Sequence, residues 1–239
     1  MIDTFGMALM DYFDDPTSVH VIERDDGYLN TIETSGYFRD FHDWHPVEQK
    51  LAELVEGKVL DVGCGSGRCM KYFQEKGIEA VGIDFSVLAI DASKRFGVDN
   101  CVVMDATNLE FPENSFGTAS LFGNGLGLCG IEGSRKMLKE LSNVVKPSGL
   151  LVASSRDPKI TSNPLHFEYH QRNREKGNPI GLICFRVNFK NEKGDWFDLY
   201  MLEPDEVEGF IEGTGWRLER MIHAEDPTHA IFGVVLRNS

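Results

Sequence analysis

The sequence predicts an α/β fold, in which helices cover both faces of a doubly wound, mostly parallel sheet of seven strands. From residue 58 onward, short apolar runs alternate with helical patterns, and this alternation is typical of a parallel sheet. Glycine or a Pro-x-Gly turn ends several of these units. The last two apolar runs flank a short polar turn, so we expect an antiparallel strand at the end of the chain.

The expected strands are short apolar runs bounded by turn residues. In chain order they are Val59–Val62, Glu79–Asp84, Cys101–Asp105, Thr118–Asn124, Leu150–Ser154, Trp216–Ile222 and Ala230–Leu236.

The expected helices have apolar residues at helical spacing along one face. Ser86 is a suitable N-cap for the second helix, and Pro204 suits the first turn of the last one. In chain order the core helices are Arg68–Lys76, Val87–Phe96, Glu132–Val145 and Pro204–Glu212.

Two segments outside this alternation divide the chain into four parts. Residues 1–57 form an extension rich in aromatic and acidic residues, with a helix over Thr4–Phe13, a strand over His20–Arg24 and a helix from Pro46. Residues 156–202 form an insertion with a short helix and a β-hairpin. Between them lies a ligand-binding core at 58–155, and residues 203–239 return to the core sheet. The extension is interpreted either as a cap over a ligand site or as an accessory layer.

The composition restricts the class of protein. The chain has 239 residues, 41% apolar and 26% charged, enough for one large domain or a domain with a cap. Twenty-four basic and 38 acidic residues give a formal charge of −14, which argues against a nucleic-acid partner.

Targeting and cysteine patterns are consistent with a cytoplasmic protein that has no membrane partner. The N-terminus lacks the features of a signal peptide, and no apolar run approaches the roughly 20 residues of a membrane span. The five cysteines include no C-x-x-C pair, so we expect reduced thiols and no metal site.

The stretch with the clearest chemical meaning is the glycine loop Asp61-Val-Gly63-Cys64-Gly65-Ser-Gly67. Glycines allow a sharp turn and a close approach of a ligand to the backbone. Asp84 ends the next strand, 21 residues after Gly63, where a carboxylate can bind both ribose hydroxyls. Asp105 ends the following strand, beside the expected position of a nucleobase amine. Acids at three successive strand ends indicate a nucleoside-binding edge.

An NAD(P)-dependent oxidoreductase is the nearest alternative. Its fingerprint G-x-G-x-x-G requires glycine at the sixth position, where this chain has Arg68, and glycine occurs one residue early at Gly67. Asp61 would also have no function next to a pyrophosphate.

At these positions the chain resembles the class I S-adenosylmethionine-dependent methyltransferases, whose first motif is acid-x-Gly-x-Gly-x-Gly. Val59–Gly67, Gly82–Asp84 and Met104–Ala106 match successive motifs of that family. The resemblance covers roughly residues 55–155 and, less specifically, the last helix and strands. Trp196–Leu202 and Thr214–Trp216 are similar to an uncharacterised prokaryotic subgroup that acts on small molecules. The resemblance implies a Rossmann-like fold, S-adenosyl-L-methionine as cofactor and S-adenosyl-L-homocysteine as product.

The resemblance also implies roles for individual residues. The loop backbone at Gly63, Cys64, Gly65 and Gly67 would line the methionyl part of the cofactor, with Asp61 holding the loop or, through water, the cofactor amine. The remaining cofactor contacts would be Asp84 for the ribose, Phe85 against the adenine, Asp105 and Ala106 for the adenine edge, and Phe122, Gly123 and Asn124 at the sulfonium. Many relatives have an aromatic residue followed by Asp before the fourth strand, where this chain has Phe116-Gly117.

The methyl acceptor is expected above the same strand ends, between the extension and the insertion. Transfer from a sulfonium is an in-line displacement, so the site need not contain a general base. The candidate acceptor-side residues are Tyr37, Arg156, His166 and His170. The two histidines, at i and i+4, could supply a base or half a metal site, but a solvated helix face is the simpler interpretation.

A small-molecule acceptor is favoured. Asn124-Gly-Leu-Gly127 lacks the Pro-Pro-aromatic and Pro-Cys patterns of nucleic-acid methyltransferases. A non-catalytic protein that binds S-adenosylmethionine or S-adenosylhomocysteine remains an alternative, because every motif identified here is a binding motif. The sequence leaves the oligomeric state open.

Overall fold

The computed structural model describes residues 2–239. The helices are α1 (Thr4–Asp11), α2 (Pro46–Ala52), α3 (Arg68–Glu75), α4 (Val87–Arg95), α5 (Gly130–Val144), α6 (Pro164–Glu175) and α7 (Val207–Ile211). The strands are β1 (Val19–Arg24), β2 (Leu29–Glu33), β3 (Val59–Val62), β4 (Ala80–Asp84), β5 (Cys101–Val103), β6 (Phe116–Leu121), β7 (Val145–Arg156), β8 (Leu182–Phe189), β9 (Glu192–Lys193), β10 (Phe197–Tyr200), β11 (Trp216–His223) and β12 (Ile231–Asn238).

Seven strands form the main sheet, in the order β11-β12-β7-β6-β3-β4-β5. Neighbours from β7 to β5 are parallel, and β12 is antiparallel to both β7 and β11. The predicted fold class, including the antiparallel last strand, is therefore confirmed. The order of the parallel strands reverses direction beside β3, which is where open sheets of this kind bind ligands.

Several strand boundaries differ from the sequence prediction. The third and fourth strands end earlier, at Val103 and Leu121, so that Asp105 and Asn124 lie in the loops that follow. The fifth strand begins earlier, at Val145. Phe116 pairs with Val145 but Thr118 pairs with Leu150, so the Pro-Ser-Gly segment is an irregularity within the strand, with a left-handed Ser148 (φ 60°). The prediction that this segment separates helix from strand was wrong, because the backbone accommodates the extra residues in a bulge.

A second sheet, in the order β10-β8-β1-β2 with β9 against β8, joins the extension to the insertion. β1 pairs antiparallel with β8, so that Ile22 lies opposite Val187 and Arg24 opposite Phe185. The sequence predicted β1 and the hairpin separately and missed β2, whose residues are mostly exposed and carry no alternating apolar pattern. We call this second sheet the cap sheet.

Aromatic side chains pack the N-terminal segment onto the core helices. Tyr12 stacks on Phe38 with ring centroids 4.0 Å apart, and Phe38 belongs to a buried cluster with Leu9 of α1 and Ala89 of α4. These contacts hold the segment against the side of the main sheet that carries the glycine loop.

Gly117 stands before the predicted fourth strand where many relatives have Asp, and its surroundings leave no room for a side chain. A Cβ atom at this position would lie 2.3 Å from the carbonyl oxygen of Glu56, so a larger side chain would displace the segment that leads into β3. Gly117 also donates a backbone hydrogen bond of 2.8 Å to Lys58.

The structure also shows the lengths of the helices and the state of the cysteines. Across residues 2–239, no helix combines the length and the apolar character needed to cross a bilayer. All five cysteines are free thiols, and Cys64, Cys69 and Cys101 are buried.

Candidate cofactor site

The glycine loop connects β3 to α3 through a backbone that is left-handed at each glycine. The φ angles are 69° at Gly63, 54° at Gly65 and 86° at Gly67, a region that L residues with side chains rarely adopt. The amides of Gly63 and Cys64 both donate to the carbonyl of Ile83 at 2.9 Å, which ties the loop to β4.

Asp84 lies at the carboxyl end of β4 and organises the loop. One of its carboxylate oxygens accepts from the Gly65 amide at 3.0 Å and the other from the Ser86 amide at 2.9 Å. Burial raises the pKa of Asp84, while these backbone hydrogen bonds act in the opposite direction. Each oxygen keeps a second lone pair for a ligand. The next residue, Phe85, is 69% exposed and offers an open apolar face beside this carboxylate.

Asp61 is the most deeply buried acid of the site, 2% exposed and one residue before the end of β3. Its Oδ1 accepts a hydrogen bond of 2.8 Å from the Ser120 hydroxyl on β6. Its Oδ2 is buried and has no hydrogen-bond partner within the described residues. Burial raises the pKa of Asp61 to about 6. A buried carboxylate with a free oxygen favours a cationic or hydrogen-bond-donating ligand beside it.

The loop after β6 lies at the same edge and also has left-handed backbone, at Gly123 (φ 66°) and Asn124 (φ 67°). Ser154 of β7 holds both residues. Its hydroxyl accepts from the Gly123 amide at 2.8 Å, and its carbonyl accepts from the Asn124 amide at 3.0 Å. The side-chain oxygen of Asn124 is buried and has no hydrogen-bond partner among residues 2–239, so the site contains a second free acceptor. Phe122 is half-buried beside them, with its ring 6.0 Å from that of Trp44.

Asp105 and Ala106 follow β5 at the far side of the site. Asp105 is exposed, and its Oδ1 accepts from the amide and the hydroxyl of Thr107 at 2.8 and 2.9 Å. This turn fixes the carboxylate at the sheet edge while its second oxygen stays accessible.

Tyr37 connects the N-terminal segment to the glycine loop, since its carbonyl accepts a hydrogen bond from the Ser66 hydroxyl. Its ring lies edge-on to Phe5, at 5.1 Å, and 5.6 Å from the ring of His20. Burial raises the pKa of the Tyr37 hydroxyl, and the nearby Arg68 partly offsets this. Of the four acceptor-side candidates, Tyr37 is therefore directly linked to the loop.

The sequence pattern did not indicate His20 as a residue near the site. His20 is 1% exposed on β1, and its Nδ1 lies 3.2 Å from the Thr34 hydroxyl. Its Nε2 is buried, with no hydrogen-bond partner from residue 2 onward. Burial lowers its pKa to about 4, so the ring is neutral at pH 7. Its place in the predicted strand His20–Arg24 was the signal that could have indicated it, because an inward-facing strand position rarely carries a polar residue without a hydrogen-bond partner.

His166 and His170 lie on α6, which packs on the cap sheet near Arg24. The Nδ1 of His166 is 2.8 Å from the Thr161 hydroxyl, and its ring lies edge-on to Tyr28 at 5.3 Å. Burial lowers the pKa of both histidines. Across residues 2–239 no group of three or more His, Cys, Asp or Glu side chains is arranged to hold a metal ion.

Arg156 ends β7 at the edge that carries Asn124 and is exposed there. Beyond it, the rings of His45 and His229 lie 5.5 Å apart. The Nδ1 of His45 accepts from the Val47 amide at 3.3 Å, and its Nε2 is buried with no hydrogen-bond partner within residues 2–239. The sequence did not indicate these two histidines, which come together only through the sheet topology.

A cavity of about 440 Å³ opens between the start of α5 and the cap sheet. Its walls include Leu128, Ile131, Leu182 and Phe197, and it also contacts Asp198. Leu128 lies 3.5 Å from the position a Cβ would take on Gly63. The cavity is therefore next to the glycine loop.

The residues at this edge suit S-adenosylmethionine on chemical grounds. Its ammonium group requires hydrogen-bond acceptors, and both Asp61 and Asn124 have a buried oxygen that no group in the described part of the chain satisfies. Its ribose and adenine require a carboxylate and an apolar face, which Asp84 and Phe85 offer at one strand end. The glycine loop leaves space for the ligand because a Cβ at Gly65 would have as its nearest neighbour only the Gly63 carbonyl, 4.0 Å away.

Comparisons with known proteins agree with this geometry. A family model described as a methyltransferase domain matches residues 59–149. The demethylmenaquinone methyltransferase of Renibacterium salmoninarum is 29% identical over 185 residues, covering 72% of this chain and 72% of that protein. The enzyme of the same name from Paenarthrobacter aurescens is 36% identical over 111 residues, and the match covers 46% of this chain and 43% of that protein.

A solved structure gives the same result at the level of the fold. The crystal structure of a SAM-dependent methyltransferase from Bacteroides fragilis, in complex with S-adenosyl-L-homocysteine, has a TM-score of 0.82 at 23% identity and covers 99% of this chain and 95% of that one. These findings favour a methyltransferase over the dehydrogenase alternative. With the glycine loop and its acids, they support a class I S-adenosylmethionine-dependent methyltransferase that uses S-adenosyl-L-methionine as its cofactor.

Proposed function

We propose that the chain transfers the methyl group of S-adenosylmethionine to a small-molecule acceptor above the carboxyl ends of β6 and β7. The observation that supports this most directly is the cap sheet. It joins the N-terminal extension to the insertion. After β2 the extension reaches Tyr37, whose carbonyl accepts a hydrogen bond from Ser66 of the glycine loop. An acceptor site walled in this way suits a metabolite better than a polymer. Two related proteins are named for demethylmenaquinone, a small molecule.

For the cofactor we propose the following roles. Asp84 binds the ribose hydroxyls, Phe85 packs on the adenine, and Asp105 with the amide of Ala106 binds the adenine edge. The loop backbone at Gly63, Cys64, Gly65 and Gly67 lines the methionyl part, and the free oxygens of Asp61 and Asn124 accept from the ammonium group. Phe122 and Gly123 complete the wall at the sulfonium.

When bound, the cofactor supplies an electrophilic methyl group on a positively charged sulfur. The chain's contribution is to align the acceptor's lone pair with the C–S bond and to exclude water from the path. The methyl carbon forms its new bond to the acceptor as the C–S bond breaks, and the electron pair remains on sulfur. An acceptor that arrives protonated must also lose a proton, and Tyr37, Arg156, His166 and His170 remain the candidate side chains on the acceptor side.

The test is a screen for label transfer. Purified protein is incubated with S-adenosylmethionine carrying a labelled methyl group and with fractions of a small-molecule extract, and both S-adenosylhomocysteine and labelled product are measured. We expect product in a metabolite fraction and none from added DNA, RNA or protein. If the protein binds S-adenosylhomocysteine but no fraction accepts label, the non-catalytic alternative is correct. Labelling of a macromolecule alone would contradict the proposed acceptor class.

A further inference from the structure

We propose that Glu48, on the N-terminal helix α2, is a positioning residue for the cofactor site, and that it acts through Ser154 on the Gly123–Asn124 turn. Glu48 is far from the glycine loop in sequence and carries no motif. It is 7% exposed, on a helix whose other buried residues, Val47, Leu51 and Ala52, are apolar.

Both carboxylate oxygens of Glu48 have a defined partner. Oε2 accepts from Nη2 of Arg68 at 2.9 Å, and Oε1 accepts from the Ser154 hydroxyl at 2.8 Å. Arg68 is the first residue of α3, directly after the glycine loop, and its guanidinium lies over the Trp44 ring at 4.8 Å. A buried carboxylate is costly unless it is paired and hydrogen-bonded in this way. Glu48 therefore joins three segments at one point: α2, the start of α3 and the end of β7.

The hydroxyl of Ser154 transmits this arrangement to the turn. Because it donates its only hydrogen to Glu48, its lone pairs are directed to the Gly123 amide, which donates to it at 2.8 Å. Without the carboxylate the hydroxyl could rotate and lose this orientation.

The turn needs such support because its backbone is strained. Asn124 has a φ of 67°, which costs free energy for a residue with a side chain. Its side-chain oxygen is buried and has no partner among the residues described. The Ser154 hydroxyl and carbonyl hold the backbone of the turn that carries this oxygen, through the amides of Gly123 and Asn124. The helix of the N-terminal extension thus helps to place a cofactor-facing atom that it does not touch.

The experiment measures the binding of S-adenosylhomocysteine by calorimetry, using the full chain. Ser154→Ala removes the bridge with little change in volume, and we expect the Kd to rise roughly three- to tenfold, the equivalent of one hydrogen bond. Ser155→Ala is the matched control, since this buried serine follows on the same strand and faces the other side of the sheet. We expect its Kd to stay within about twofold of the unmodified chain, on the same reasoning.

A double-mutant cycle separates positioning from a general structural role. We expect Glu48→Leu to weaken binding in the unmodified chain but to have less than about a twofold further effect in the Ser154→Ala background. Thermal unfolding is measured for every variant, and Glu48→Gln takes the place of Glu48→Leu in the cycle if Glu48→Leu does not fold.

Two outcomes would overturn the inference: a folded Ser154→Ala variant with an unchanged Kd, or effects of the two substitutions that simply multiply. If the unmodified chain failed to bind S-adenosylhomocysteine, the cofactor assignment would be contradicted instead.

Discussion

Ser120 donates a hydrogen bond of 2.8 Å to one oxygen of Asp61, while the other oxygen of the same carboxylate is buried with no partner in the part of the chain that the structure describes. The two residues lie on neighbouring parallel strands, so the main sheet itself holds a half-satisfied acid under the glycine loop. A group of this kind affects both stability and ligand binding.

The Asp61 carboxyl should make stability fall as the pH rises. Its pKa is raised from 3.8 to about 6 in the folded chain, so its stabilising contribution is complete below pH 4 and is lost as the pH passes 6. The whole contribution of this carboxyl to the free energy of unfolding is about 3 kcal/mol, and about 1 kcal/mol of it is lost between pH 5.5 and pH 8. Asp61→Asn has no carboxyl at this position and should not show this loss. We therefore expect its free energy of unfolding in urea, relative to that of the unmodified chain, to rise by about 1 kcal/mol from pH 5.5 to pH 8.

The exposed Asp99→Asn serves as the control for the Asp61 experiment and should show no such pH-dependent difference. A difference between Asp61→Asn and the unmodified chain that stays constant from pH 5.5 to pH 8 would contradict the prediction.

His20 should have the opposite effect. Burial lowers its pKa from 6.5 to about 4, so its contribution is present above pH 6.5 and is lost as the pH falls toward 4. We expect the stability advantage of the unmodified chain over His20→Gln to shrink by about 1 kcal/mol between pH 8 and pH 5.5. Urea unfolding at the two values tests this, with the exposed His42→Gln as control. An advantage that grows on acidification would show that the imidazole is charged in the folded chain.

Replacing Asp84 should abolish useful cofactor affinity. Asp84→Ala removes the proposed ribose contact and also frees the amides of Gly65 and Ser86, which shape the loop. Because hydrogen bonds to a charged group contribute about 1.5–3 kcal/mol each, we expect S-adenosylhomocysteine binding to weaken by roughly a hundredfold or more. Calorimetry measures this, and Asp91→Asn, on the following helix, should bind normally. Near-normal binding by folded Asp84→Ala would exclude Asp84 from the site.

Gly127 should be essential for the contact between the loop after β6 and the cap sheet. A Cβ on Gly127 would lie 1.8 Å from the carbonyl oxygen of Tyr200, so Gly127→Ala requires a backbone shift. We expect a loss of about 2 kcal/mol or more, seen in urea unfolding. Gly209→Ala, in α7 with open space around the site, should gain up to about 1 kcal/mol. If Gly127→Ala and Gly209→Ala had equal free energies of unfolding, the contact between Gly127 and Tyr200 of β10 would not be rigid.

The sequence alone determined the nature of the main sheet and predicted where the cofactor site lies. Glycines at 63, 65 and 67 and acids at the ends of β3 and β4 are local signals, because the carboxyl ends of parallel strands meet at one edge whatever the rest of the chain does. The family resemblance depended on the same residues, and the family model matches residues 59–149.

Only the tertiary structure decided what surrounds that edge. β1 and β8 are separated by most of the chain, and their pairing carries no local pattern, so the cap sheet could not be predicted from either segment. The same holds for Glu48, which reads as an ordinary polar position in a helix but lies buried between Arg68 and Ser154. Local chemistry is encoded in short stretches, whereas the partners of a buried polar atom are chosen by the topology.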